Sequence, residues 1–330
     1  MKVELWPLGD LSLEEDVRRR DLTCNALAWR LPNGPLTDLV GGLADIETKT
    51  LRAVSRVNLR ADPVRLLRPL RFLAELPTFT LAPDTARWIS ELADLLQKAP
   101  RERVGQELMA LVSARAPARG LGAMLRLGLF AHAAPASARP GSSRCARLLP
   151  AASILGSSGR HPIARALSEA GDSARLGLLF SLWNVSNPRS VNRYAWPGKT
   201  RTAAFKAAVL LPRTLMTATK PAADRRLFIY ECGEAFPAAF ALAAAVAASH
   251  GLPVGPWKSW WRQWERTGPQ LLHPRSLLSG EQVGRIVGAG SGEEIGSYIR
   301  FLHEAQIRGK IRSARSARAY LLQLVANRVR

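Results

Sequence analysis

The chain has 330 residues, 47% of them apolar and 22% charged, which suits two or three modest globular domains and excludes a disordered protein. Its 47 lysines and arginines face only 26 acidic residues. The resulting net charge of +21 strains a compact fold unless a polyanion offsets it, so nucleic acid is the first partner implied.

Residues 1–10 read as a strand, with Val3, Leu5 and Pro7 alternating with Lys2, Glu4 and Trp6. No apolar run follows a basic start, so no signal peptide is expected. Ser12 with Glu15 three positions on is a capping-box pattern, and the helix it opens is expected to run through Asn25 and Ala26. Leu31–Pro35 is a turn carrying Asn33-Gly34, Leu36–Val40 is the returning strand, and Gly41-Gly42 is a tight loop before Leu43–Lys49.

From Asp62 the pattern is helical. Asp62-Pro63 is a helix start, with Asp62 as N-cap and Pro63 at the first helical position; Leu66, Leu67, Leu70 and Leu73 form the apolar stripe, and Pro69 is expected to kink it. Asp84–Ala99 and Glu102–Ala114 are further helices, the latter with Val104, Leu108, Leu111 and Val112 on one face. Ala133–Ser143, crowded with Pro, Ala, Ser and Gly, reads as a linker or loop. Beyond residue 150 the helices read as shorter. Arg225–His250 suggests two helices broken near Pro237, and the apolar stretch Ala235–Ser249 is too short and Ala-rich to span a bilayer, so it reads as a buried helix with no membrane partner. Trp257, Trp260, Trp261 and Trp264 lie at helical spacing among Lys258, Arg262 and Arg266. Such tryptophans can stack on bases, although packing between helices is their commoner use. Cys24, Cys145 and Cys232 are far apart and show no CxxC pair, which argues for a reducing cytosol without disulfides or a zinc site.

The segment Arg19-Arg20-Asp21-Leu22-Thr23-Cys24-Asn25-Ala26 resembles the run R-R-D-F-T-I-N-A in the catalytic head of class II tRNA nucleotidyltransferases and poly(A) polymerases. These enzymes add CCA to tRNA ends or adenosines to RNA ends. Three further segments follow in the family's order. Asp38–Ile46 is similar to D-x-x-G-G-x-x-D-L. Ala61–Phe72 is similar to E-D-P-L-R-x-L-R-A-x-R-F, with Ala61 in place of the Glu. Glu102–Glu107 is similar to E-R-I-x-x-E, read here as bracing the neck helices. Near the C-terminus, Gly292–Ile299 and His303–Ile311 resemble the tail of bacterial members, with Gly280–Val283 at the preceding helix start, while Trp183–Asn187 is the body's faint match.

The resemblance implies a mainly α protein. An incomplete nucleotidyltransferase head of short strands and helices (1–50) would precede an all-helical neck with the base-reading helix (51–130), a linker (131–145), a body (146–275) and a tRNA-binding tail (276–330). It implies that Arg20 meets the triphosphate, that Asp21 meets the ribose, and that Asp62 and Arg65 read the base. Asn25 and Arg68 belong to the same nucleotide site. A guanidinium pairs two-pronged with phosphate, and a carboxylate accepts from ribose hydroxyls. The partners implied are tRNA, CTP and ATP, in the cytoplasm.

The family's Asp-x-Asp pair, which holds Mg2+, has no counterpart in the first forty residues; Glu4 is the candidate for a third carboxylate beside it, or a plain polar residue on an edge strand. The expectation is therefore a tRNA nucleotidyltransferase chain that is N-terminally incomplete and inactive by itself, with a separate chain as one possible source of the missing half-head. The alternatives are a poly(A) polymerase of the same family, a non-catalytic RNA-binding remnant, and an Arg-rich helical protein of a high-GC genome with no RNA role.

Overall fold

The Ser12 hydroxyl accepts from the Glu15 N–H at 3.2 Å and the Glu15 carboxylate accepts back from the Ser12 N–H at 2.8 Å, the capping box the sequence predicts. It opens α1 (Leu13–Arg18) in the computed structural model, which describes residues 10–138, 140–156, 164–288 and 292–328. The strand expected over residues 1–10 lies outside the described residues but for Asp10.

α1 stops eight residues before Ala26 because the chain is drawn into long-range pairing. Leu22 bridges Ala53, the Thr23 N–H donates to the Arg52 carbonyl at 2.9 Å, and the Val54 N–H donates to the Asp21 carbonyl at 3.1 Å. Thr23–Asn25 is then a single 3-10 turn. β1 (Leu27–Trp29) and β2 (Leu36–Asp38) form the expected hairpin, antiparallel with Trp29 opposite Leu36. β2 ends at Asp38 rather than Val40, because the Asp38 carboxylate accepts from the N–H groups of Val40, Gly41, Gly42 and Leu43 and so turns the chain into α2 (Gly42–Glu47). A side chain at Gly42 would meet the Thr23 carbonyl oxygen at 2.3 Å, so glycine there lets α2 lie against the Thr23 turn.

β3 (Thr50–Leu51) pairs in parallel with β4 (Thr80–Leu81). Between them stand α3 (Arg56–Ala61), a 3-10 turn Pro63–Leu66 capped by Asp62, and α4 (Arg68–Glu75). The kink expected at Pro69 is a break: Pro69 occupies the first turn of a separate helix, where its missing N–H costs nothing. The helix expected over Asp84–Ala99 likewise divides into α5 (Pro83–Glu91) and a 3-10 segment Ala93–Lys98. α6 (Arg101–Ser113) buries Val104, Leu108, Leu111 and Val112 as its pattern predicts. α7 (Pro117–Arg126) and α8 (Leu129–Ala133) complete this part. The stretch read as a linker enters α9 (Ser142–Leu148); Ala133, Ala134, Ala138 and Cys145 are buried, and the Tyr194 hydroxyl donates to the Ala133 carbonyl at 2.6 Å.

The helices beyond residue 150 are α10 (Ala151–Gly156), α11 (Ala164–Trp183), α12 (Gly198–Thr217), α13 (Ala222–Cys232), α14 (Phe236–Ser249) and α15 (Gly255–Leu272). α11 kinks at Ala170, so its span holds two shorter helices, whereas α12 runs 20 residues, longer than the sequence suggested. α12 buries one face, with Ala204, Ala207, Leu211 and Thr214 inside, but Pro212 within it and the exposed Val209 and Met216 blur its period in the sequence. α14 is buried along nearly its whole length, and each fully buried Phe, Leu or Val there contributes roughly 1.5–3 kcal/mol. Among the described residues Ala222–Ser249 is the one stretch long and apolar enough to cross a membrane, and 72% of its apolar window is buried inside the protein. The tryptophans serve packing. Trp257, Trp260 and Trp261 are buried, and the Phe240 ring stands 5.6, 5.8 and 5.0 Å from them, centroid to centroid. The structure is thus mainly α with two small sheets.

A second apolar core joins α16 (Gly280–Val287), α17 (Gly292–Ile307) and α18 (Ala314–Arg328) through Val283, Tyr298, Leu302 and Leu321. It meets α13 through polar contacts: Arg226 donates to the Ile307 carbonyl at 3.0 Å, Arg308 pairs with Asp224 at 2.7 Å, and Tyr230 and Ser276 reach the two nitrogens of His303 at 3.3 and 2.9 Å. Burial holds the His303 pKa below its ordinary 6.5, so the unfolded chain takes up the proton first. Stability is therefore full above that ordinary value and is lost as pH falls below it. On acidification from about pH 8 to about pH 5.5, the melting temperature should fall more in the parent than in His303→Gln. Equal falls would show that His303 does not carry the effect.

Candidate nucleotide-binding cleft

Two segments more than forty residues apart meet at one open hollow of about 570 Å³, lined by Leu11, Asp16, Arg19, Arg20, Asp21, Arg65 and Arg68. The end of α1 supplies one wall, and the 3-10 turn with the start of α4 supplies the other. Four arginines face two aspartates, so positive charge is in excess. That is the electrostatics a polyphosphate requires.

The two walls are tied through backbone carbonyls. Asn58 donates to the carbonyls of Arg18 at 2.7 Å and Arg20 at 2.9 Å, and Arg65 Nη1 donates to the Arg19 carbonyl at 2.6 Å. Arg20 pairs with Asp16 at 2.5 Å. Arg68 Nε approaches Asp21 Oδ2 at 2.5 Å, and Asp21 is buried. Neither of these two buried atoms has an aligned hydrogen-bond partner, so charge rather than hydrogen-bond geometry holds this pair.

Asp62 stands beside Arg65, with Arg65 Nε 3.7 Å from Oδ2. Burial acts to raise the Asp62 pKa, but the Arg103 hydrogen bonds and charge, the Val64 N–H and Arg65 outweigh it, and the carboxyl lies below its ordinary value. Among the sequence candidates, Arg20, Asp21, Arg65 and Arg68 therefore share the hollow and Asp62 flanks it. Asn25 sits half-buried in the Thr23–Asn25 turn and is not part of the lining. Glu4 lies outside the described residues.

Three participants were missed. Arg103, expected to brace the neck, does so by pairing with Asp62 at 2.8 Å, and this brings it to the flank of the cleft; its place in the Glu102–Glu107 motif is the available signal. Asn58 carried no signal, because its work is holding backbone. Asp16 had only its position four residues before Arg20. A slightly larger hollow of about 600 Å³ lies along α11, α12 and α14, where Lys199 and Lys206 are matched by Glu169 and Glu234. Its charges balance, so it lacks the excess that selects the first hollow for an anion.

The donor set does not fit a divalent metal. Asp16, Asp21 and Asp62 are paired with arginines, Asp38 is spent on backbone N–H groups, and the buried Asp45 accepts from Thr23 at 2.7 Å and Arg52 at 3.0 Å. Among the described residues no three His, Cys, Asp or Glu side chains converge.

Residues 4–52 match the family model described as the Poly A polymerase head domain, and residues 78–139 match the one described as the probable RNA and SrmB-binding site of polymerase A. The A-adding tRNA nucleotidyltransferase of Deinococcus radiodurans is 30% identical, over 94% of this chain and 79% of that protein. The chain belongs to the tRNA nucleotidyltransferase and poly(A) polymerase family. The CCA-adding enzyme of Geobacillus stearothermophilus is 28% identical over 97% of this chain and 74% of its own length. The crystal structure of the Bacillus stearothermophilus CCA-adding enzyme in complex with CTP superposes with a TM-score of 0.69 at 26% identity, covering 96% of this chain and 75% of that one. Thermotoga maritima CCA-adding enzyme complexed with tRNA, at 17% identity and a TM-score of 0.62, shares the fold. Membership makes the chain a nucleotidyltransferase by family, and the likeness spans 94% of the chain, including residues 115–275, where motifs alone were thin.

Proposed function

We propose that this chain works in adding nucleotides to the 3′ end of tRNA from CTP and ATP in the cytoplasm, and that its cleft binds and selects the incoming nucleotide. The observation that carries this reading is the convergence of Arg20, Asp21, Arg65 and Arg68 on one hollow. In the reaction the tRNA 3′-hydroxyl oxygen forms a bond to the α-phosphorus, the bond from that phosphorus to the β-phosphate breaks, pyrophosphate leaves, and the hydroxyl proton passes to solvent.

The chain's own residues supply binding and selection. Arg19, Arg20 and Arg68 take the triphosphate in charge-assisted hydrogen bonds. Asp21, freed from Arg68 as phosphate replaces it, accepts from a ribose hydroxyl. Cytosine and adenine each present an amino donor beside a ring-nitrogen acceptor, which the Asp62 carboxylate and the Arg65 guanidinium match. Uracil presents the reverse order and is refused. Mg2+, which the family resemblance implies, would neutralise phosphate charge. The cleft's own carboxylates are paired with arginines, so the described residues supply binding and selection only. The surface of α18, with Arg315 and Arg318 along one hollow, faces tRNA phosphates in this reading.

Two binding measurements test this. Labelled CTP and ATP should bind saturably at low salt, be displaced by inorganic tripolyphosphate, and outcompete UTP. A tRNA lacking its terminal CCA should bind with an affinity that falls steeply as salt rises. A chain that bound neither CTP nor ATP, or that ignored tRNA at low salt, would defeat the proposal.

A further inference from the structure

Asp62 is not a free acceptor at the cleft. Arg103, reaching from α6, lays its fork over both carboxylate oxygens, Nη1 on Oδ1 at 3.0 Å and Nη2 on Oδ2 at 2.8 Å. The Val64 N–H takes Oδ1 as well, at 3.3 Å. Arg65 stands close by, its Nε 3.7 Å from Oδ2 and its Nη1 anchored on the Arg19 carbonyl. An ionised carboxylate offers about four acceptor positions. Arg103 uses two of them and Val64 a third, so about one remains, on Oδ2, the oxygen that Arg65 approaches.

We infer that Arg103 is a positioning residue for base choice: its fork leaves Asp62 one free acceptor and fixes that acceptor's direction beside the Arg65 donors. This rests on the nucleotide reading of the cleft. The physical need for such a device is plain. A carboxylate free to turn about its last torsion presents acceptors in several directions and accepts an N–H as readily as an amino group. It would then take the uracil ring N–H as well as the cytosine or adenine amino group. A carboxylate clamped by a planar fork cannot turn, and only a base with its amino donor beside a ring acceptor meets both partners. Lysine keeps the charge of Arg103 but cannot form the fork.

The test compares Arg103→Lys and Arg103→Ala with the parent in equilibrium binding of CTP, ATP, UTP and inorganic tripolyphosphate. In both variants the preference for CTP and ATP over UTP should fall about tenfold, the scale of one two-pronged contact. Tripolyphosphate affinity should stay near the parent's in both variants, since Arg103 does not line the hollow. The melting temperature should stay near the parent's in Arg103→Lys, which keeps the counter-charge, and fall modestly in Arg103→Ala, which leaves Asp62 only the Arg65 charge. A bracing role alone would instead weaken CTP, ATP, UTP and tripolyphosphate alike with the preference among the bases unchanged, and that result overturns the inference. Parent-like preference in both variants overturns it too, while leaving the nucleotide reading intact. A parent chain that binds no nucleotide defeats that reading and this inference with it.

Discussion

Arg68→Ala should weaken CTP and ATP binding by about ten- to a hundredfold, the loss of one charge-assisted contact to phosphate, and should destabilise the chain even without ligand. The second effect follows from Asp21, whose side chain is only 8% exposed and stands 2.5 Å from Arg68. Removing the guanidinium leaves a carboxylate in a buried place without its counter-charge. The cost is roughly 2–3 kcal/mol, less than for a fully buried pair because Arg68 is itself a third exposed. The two effects separate in a double variant. Asp21→Asn added to Arg68→Ala removes the stranded charge, so stability in urea should recover while nucleotide affinity stays low. Parent-like affinity in Arg68→Ala would remove Arg68 from the phosphate site. An unchanged urea midpoint would mean that the Asp21 pair carries no net stability.

Much of the fold around this cleft is legible in the sequence because its parts are local. Asp62 caps its turn through its own side chain, Ser12 and Glu15 close their box within four residues, and β1 and β2 are neighbours in the chain. What eluded the sequence depends on distance along the chain. α1 ends at Arg18 because Leu22 and Thr23 pair with residues thirty positions away, which no local pattern records. Pro69 reads as a kink in one long helix until Asp62 and Leu67 are seen to begin separate elements. Arg103 reads only as a brace of neck helices because its separation of 41 positions from Asp62 hides the fork. The family motifs succeeded where they compressed such distant contacts into recognisable runs, and they missed Asn58, whose side chain holds the Arg18 and Arg20 carbonyls. The long α12 escaped for a different reason: Pro212 inside it and the exposed Val209 and Met216 blur the amphipathic period of its buried face.

The largest loss of stability is expected from Arg71→Ala. Arg71 lies one turn beyond Arg68 on α4, and its guanidinium joins Glu107 of α6 at 2.8 Å and Glu75 of its own helix at 2.7 Å. It also lies 4.4 Å from the centre of the Phe72 ring. Arg71 and Glu107 are each only 17% exposed. Burial acts to lower the Arg71 pKa, but Glu107 and Glu75 outweigh it and hold the guanidinium more firmly charged than usual. Truncation to alanine leaves two carboxylates facing one another at a helix contact, at a cost of about 3 kcal/mol or more. Glu107→Gln should cost less, because Arg71 keeps Glu75, and the pair Arg71→Met with Glu107→Leu should regain much of the loss by replacing the ions with apolar volume. Urea unfolding of the four chains measures this, and Arg71→Ala within about 1 kcal/mol of the parent would place the cluster among ordinary surface pairs. The same tie has a functional side. α4 carries Arg68 and α6 carries Arg103, so Arg71 with Glu107 sets the distance between the phosphate contact and the fork on Asp62. Arg71→Ala should accordingly blunt the preference for CTP and ATP over UTP in the fraction that remains folded, although Arg71 does not line the cleft.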